Sequence, residues 1–293
     1  MGVVPEAPGD PPTEPLAVVT ASPPESGPPP GPPPVASRPA PDGARPPWTF
    51  VDVFVGLGGV LLAGTVLSAV IRLTGGQLGP ATLLVAALPV WIGLLGTAVW
   101  ACRRHGTGNL VTDLALRFRW ADLWIGLAGG FGLRFAIGIW TVLVTRLTGQ
   151  LPEGNLQDVL GENGIGRGAW LVLNALAIGL VGPVIEEIFF RGVGLRGALA
   201  GLLRRSADRP RLADPRQRAR IAIVATAAVF ALLHVSEVGD LVSALALLPG
   251  LFVAGLVLGW LTIRFGRLGP AVLTHVVFNA VAVAALVVAG ASA

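Results

Sequence analysis

A single cysteine, Cys102, is all the thiol this 293-residue chain has. That excludes a disulfide framework and a zinc site built on thiolates. Lysine is missing altogether, so all 21 basic residues are Arg. Charge of either sign is scarce: 13% of residues are charged, where an ordinary soluble domain carries about 25%. With 53% of the chain hydrophobic, an ordinary soluble domain is excluded and the membrane class is indicated. The net charge of +4 is no argument for nucleic acid as a partner, because the arginines lie beside apolar runs where topology accounts for them. The all-Arg usage with abundant Ala, Gly and Pro points to a GC-rich genome, and so to a bacterial plasma membrane.

Proline is abundant but confined. Residues 1–47 hold 17 of the 25 prolines, in runs such as Pro28-Pro29-Pro30, and can bury almost no apolar surface, so this tail is expected to be disordered or polyproline-like. It also lacks the basic start and short apolar stretch of a signal peptide. From Trp48 onward the chain reads as a transmembrane helical domain, 48–293.

Seven apolar runs follow, at about 50–71, 80–101, 121–145, 169–192, 221–238, 241–263 and 269–290. Each is long enough to cross a hydrocarbon core about 30 Å thick as a helix. The expected fold is therefore all-α, a polytopic bundle of about seven spans. Arg103, Arg104, Arg117 and Arg119 follow the second run, Arg204 through Arg220 follow the fourth, and Arg264 and Arg267 follow the sixth. The connection at about 148–168 instead carries Glu153, Asp158 and Glu162 against Arg167. Basic loops stay in the cytoplasm, which places the N-terminus inside. Trp48, Trp100, Trp120, Trp124 and Trp170 stand near run ends and read as interface anchors. Residues 107–119 suggest a short interfacial helix.

Ionisable residues within spans are costly and therefore informative. Those that lie deep are Arg134, Glu186, Glu187, His234 and His275, with Asn174 and Asn279 as neutral companions. Glu187 and Arg191 are four apart and share a helical face, so they can pair. Glu186 is displaced from that face and is left to meet something else, which is how adjacent acids acquire different roles. Phe230 lies one turn before His234 and can fix its rotamer, and His275 shares a face with Asn279. Counted at about 1.5 Å per residue from the arginine markers, Glu186, His234 and His275 come within ~9 Å of one another in depth. They are expected to converge, with Asn279, on one water-accessible cavity open to the cytoplasmic side, with Arg134 on its wall.

The ordered set Glu186-Glu187-x-x-x-Arg191, Phe230-x-x-x-His234 and His275-x-x-x-Asn279 on successive spans resembles the three motifs of the CPBP family, the CAAX proteases and bacteriocin-processing enzymes, also called the Abi family. The resemblance covers about 165–285. It implies an all-helical intramembrane endopeptidase in which Glu186 and His234 activate water while His275 and Asn279 complete the site and stabilise an oxyanion. Glu187 and Arg191 would support the first motif. The family is commonly labelled a metalloprotease.

The residue types fit hydrolysis in two ways. Glu186, His234 and His275 could serve as three zinc ligands with a fourth position left for water, which makes zinc a candidate cofactor. Without metal, Glu186 can take the proton from water beside an imidazole. Asn279 is a suitable oxyanion donor. No His-Glu-x-x-His run is present. The expected partner is a peptide or membrane-protein substrate within membrane lipid. The alternatives are a non-catalytic scaffold or bacteriocin-immunity protein of the same family, and a proton-coupled transporter, against which the absence of an inverted repeat counts.

Overall fold

The computed structural model describes residues 1–2, 48–73, 80–152 and 169–291. The proline-rich tail and the acidic connection with Glu153, Asp158, Glu162 and Arg167 lie outside the described residues. The rest is helical: α1 (Phe50–Leu73), α2 (Pro80–His105), a short α3 (Leu110–Asp113), α4 (Trp120–Thr148), a long α5 (Ala169–Arg204), α6 (Pro215–Leu232), α7 (Leu241–Phe265) and α8 (Gly269–Ala291). Six of the helical segments are long and apolar enough to cross a membrane, and α8 adds a shorter apolar stretch, Gly269–Ala285. A helix satisfies its own backbone polar groups, which is what a chain surrounded by lipid requires.

Local chemistry sets the helix ends. Asp214 caps α6, its side chain accepting from the Arg216 N-H, and Pro215 follows where its missing N-H costs nothing. Asp240 caps α7 by accepting from both the backbone N-H and the hydroxyl of Ser243. Gly149 and Gly266 close α4 and α7 at φ of 72° and 65°, a left-handed conformation that glycine adopts without a Cβ clash.

Close packing of α4 on α8 depends on small residues. A Cβ at Gly126 would collide with Leu273, and one at Gly130 with Val277. Gly126-x-x-x-Gly130 is thus the close-approach stripe by which membrane helices maximise dispersion contact. One end of the bundle collects most of the arginines. There Arg204 donates to the Trp48 carbonyl (3.4 Å), His105 meets Asp52 (3.2 Å), and Arg267 pairs with the buried Asp122. The starts of α1, α4 and α8 and the ends of α2 and α5 therefore share this basic end.

Two expectations need correcting here. Trp48 is no interface anchor: it is 1% exposed and its Nε1 donates to the Val193 carbonyl (3.1 Å), which ties the start of α1 into α5. Trp100, Trp120, Trp124 and Trp170 do stand exposed. The interfacial helix shrinks to the four residues of α3, capped by Asn109, because Leu114 turns inward and is wholly buried.

Candidate active site

The centre of the site is α5, which is not a uniform α-helix. Ala177–Val181 and Ile188–Leu195 are π-helical, and the six residues Gly182–Glu187 between them are α-helical. Wider π turns frequently mark functional positions. Here they flank the acid pair directly.

Glu187 is fully buried and Arg191 is 1% exposed. They pair at 2.7 Å between Glu187 Oε1 and Arg191 Nη1, as the spacing of four predicts. The same Oε1 also accepts from His275 Nδ1 at 2.8 Å. Glu187 is therefore more than a counter-ion, since it joins the first motif to the third. A carboxylate can only accept, so the proton sits on His275 Nδ1 and Nε2 is directed toward Glu186 Oε2, 3.8 Å away. The second Glu187 oxygen and Arg191 Nε are buried without hydrogen-bond partners among the described residues. Removing any member of so buried a network would be costly.

His234 lies just beyond the helix that was expected to carry it. α6 ends at Leu232, and His234 begins a short 3-10 turn, Val235–Glu237, that leads to Gly239. Its Nδ1 donates to the Phe230 carbonyl at 2.7 Å, which leaves Nε2 as the free acceptor. Phe230 is 1% exposed and its ring stands against both imidazoles, at 4.8 Å from His234 and 5.7 Å from His275. The Arg191 guanidinium lies 4.8 Å from the same ring. One aromatic side chain thus fixes three charged or titratable neighbours.

Glu186 and His234 line a cavity of about 700 Å³ together with Glu237, Ser236, Phe190 and apolar residues of α1 and α2. Glu237 was not singled out from the sequence, though the spacing His234-x-x-Glu237 could have revealed it. Its Oε1 lies 3.9 Å from His234 Nε2. Neither His275 nor Asn279 lines this cavity. His275 is 4% exposed and backs Glu186 from inside. Asn279 donates through Nδ2 to the Ile178 carbonyl (3.1 Å), within the first π segment, so that amide is drawn to α5.

The cavity's position also departs from expectation. Its walls come from Val60 to Ala69 in the later half of α1, Ala86 to Leu94 in the earlier half of α2, and the turn after α6. This is the half of the bundle away from the basic end. Arg134 is not on the wall, because its guanidinium donates to the Phe278 carbonyl (2.7 and 3.2 Å) and lies 3.8 Å from the Phe278 ring. Among the described residues, no three His, Cys, Asp or Glu side chains gather as a metal-ion site. Glu186, His234 and His275 are not gathered as a three-ligand cluster as placed, while each imidazole donates through Nδ1 and so keeps Nε2, the nitrogen a metal would take.

Fold and site together define a polytopic helical membrane protein with a carboxylate and an imidazole set on a cavity between its spans. Residues 168–281 match the family model described as Type II CAAX prenyl endopeptidase Rce1-like. This part of the chain is thus similar to the Rce1-like family, in agreement with the resemblance carried by the three motifs. Neither the curated proteins nor the solved structures gave a match.

Proposed function

We propose that the protein is an intramembrane endopeptidase in which the Glu186 carboxylate is the base that takes a proton from water. The observation that carries this reading is that Glu186 and His234 line the same cavity, while the neighbouring acid, Glu187, is neutralised by Arg191 and His275. A carboxylate and an imidazole with an unbonded Nε2 on the walls of one cavity are the two groups that general-base activation of water calls for. Proton removal at Glu186 leaves hydroxide to attack the peptide carbonyl. The carboxylic acid so formed then returns the proton to the leaving amine, so the proton balance closes.

His234 is held as the Nδ1-H tautomer by the Phe230 carbonyl, so its Nε2 accepts a hydrogen bond from the attacking water and orients it. His275, tied through Nδ1 to Glu187, packs behind Glu186 with its Nε2 3.8 Å from Oε2 and limits the space that carboxylate can move into. Asn279 joins α8 to α5 through the Ile178 carbonyl and, lying off the cavity wall, supports the helix that carries Glu186. The substrate is a peptide or a membrane-protein segment, in keeping with the endopeptidase description of the family.

The test is cleavage of apolar peptides by purified protein in detergent, read by mass spectrometry, for wild type and Glu186→Gln. The expected result is cleavage by wild type and a loss of at least about 100-fold in kcat for Glu186→Gln, with the melting temperature kept. Equal cleavage by both proteins, or none by wild type over the peptide set, overturns the reading.

A further inference from the structure

The cavity wall carries a second carboxyl, Glu237, that the hydrolytic reading does not use. Glu186 and Glu237 contribute two carboxylates, and neither arginine nor lysine lines the cavity among the described residues. Arg191 lies behind the wall, 1% exposed and paired with Glu187. The remaining lining is largely apolar, including Val60, Leu61, Leu67 and Leu94. Glu237 keeps half of its side chain exposed (51%), and its ion-pair neighbour, His234 Nε2, is at 3.9 Å, beyond hydrogen-bond reach. The Glu237 carboxyl stands beside a low-dielectric wall, where a partner's charge is felt more strongly than in water.

We propose that Glu237 sets the specificity of this cavity, selecting apolar peptide segments that carry a cationic group, an Arg or Lys side chain or a free amino terminus, and rejecting segments that present a free carboxylate. This inference rests on the endopeptidase reading for the identity of the site, but not for the charge preference itself. A ligand carboxylate would enter a space that already holds two carboxyl groups, with neither arginine nor lysine on its wall among the described residues, whereas an ammonium or guanidinium would gain Glu237 as a partner. The apolar walls on α1 and α2 take the hydrocarbon part of the segment. The inference separates this chain's substrate from a C-terminal Cys-a-a-X peptide, which ends in a carboxylate a few residues beyond its cysteine.

The experiment uses the full chain in detergent with four labelled peptides of one apolar sequence. They carry Arg, Gln or Glu at a single flanking position, with an amidated C-terminus, or Gln with a free C-terminal carboxylate. Binding is read by fluorescence anisotropy on the Glu186→Gln protein, and cleavage as kcat/KM on the protein with Glu186 intact. Binding is expected to favour Arg over Gln by about fivefold, the size of an ion pair half open to solvent, and to disfavour both carboxylate peptides relative to Gln. Glu237→Gln should bring the Arg to Gln ratio close to one, and Glu237→Arg should reverse the order in favour of the carboxylates. Equal binding of all four peptides, or an Arg preference that survives Glu237→Gln, overturns the proposal. Ordered binding without any cleavage supports the charge preference while refuting the endopeptidase reading, so the two failures are distinct.

Discussion

Glu187 Oε1 accepts from Arg191 Nη1 at 2.7 Å and from His275 Nδ1 at 2.8 Å, so a single oxygen links two motifs that are 88 residues apart in the chain. The first donor is an arginine four residues along the same helix, and the second comes from α8. The acid next to it, Glu186, makes neither bond and lines the cavity. Adjacent carboxylates are thus divided between holding the bundle and facing the solvent space.

That division predicts unequal stability effects. Glu187→Ala leaves the Arg191 guanidinium buried without its carboxylate, a loss of about 3 to 5 kcal/mol, and should sharply lower the melting temperature or abolish accumulation. Glu186→Ala, at a side chain 24% exposed, should melt close to wild type. Thermal unfolding of the two variants in detergent checks this, and equal losses would refute the separate roles.

Phe230 offers a different separation. Phe230→Ala empties a fully enclosed site and should cost about 3 to 5 kcal/mol. Phe230→Leu keeps most of the apolar volume, at less than about 1.5 kcal/mol, but removes the ring that both imidazoles and Arg191 rest on. We expect the Leu variant to fold and to lose about 10- to 100-fold in kcat, through misplacement of His234. Melting curves beside single-turnover rates decide it, and an unchanged kcat in Phe230→Leu would show that the ring only fills space.

Asp240, in the turn between α6 and α7, supplies a pH dependence. The Ser243 hydroxyl and backbone N-H donate to its carboxylate and hold it below the usual range for Asp. A folded value lower than the unfolded one means stability that is fully present above about pH 4, the usual range for Asp, and lost as pH falls through the lowered value. Ser243→Ala should shrink this contribution and Asp240→Asn should abolish it. Melting temperatures measured from about pH 6 down to pH 3 test the sign, and a wild-type contribution that grew on acidification would contradict it.

Membrane orientation is testable through the arginines. Reporter fusions at residues 112, 158 and 212 should read inside, outside and inside, following the basic end of the bundle. The cavity would then lie in the outer half. Cys102 is the one native thiol and is buried, so Ser236→Cys adds a single accessible thiol at the cavity wall. A membrane-impermeant maleimide supplied from outside should label it. Labelling only after lysis would reverse the orientation.

The spans were legible in the sequence because the lipid core demands about 20 apolar residues per crossing, and the i, i+4 pair of Glu187 and Arg191 was legible because both fall within one helical turn. What lay hidden depended on departures from regular helix. The sequence places His234 inside a span, yet α6 stops at Leu232, and no proline or glycine marks that stop locally. Glu237 escaped notice because it lies in the short link beyond. His275 binding to Glu187 is a contact between distant helices that periodicity within either one does not reveal. The Ile178 carbonyl likewise claims Asn279 through a π segment whose wider turn leaves no mark on an apolar sequence.

Those π segments make the phase of α5 a matter of residue count. Each residue of regular helix turns the chain by about 100°, and the wider turns of Ala177–Val181 and Ile188–Leu195 alter that advance on both sides of the acid pair. Removing one residue from the second segment, and so letting it tighten to regular helix, would swing everything beyond it around the axis. The arginines at 196 and 204 and the docking of Trp48 on Val193 would then face new directions while the acids stayed where they are. The length of α5 between its acids and its basic end is thus a timing mark: chemistry at one end and anchoring at the other stay in register only while that count is kept.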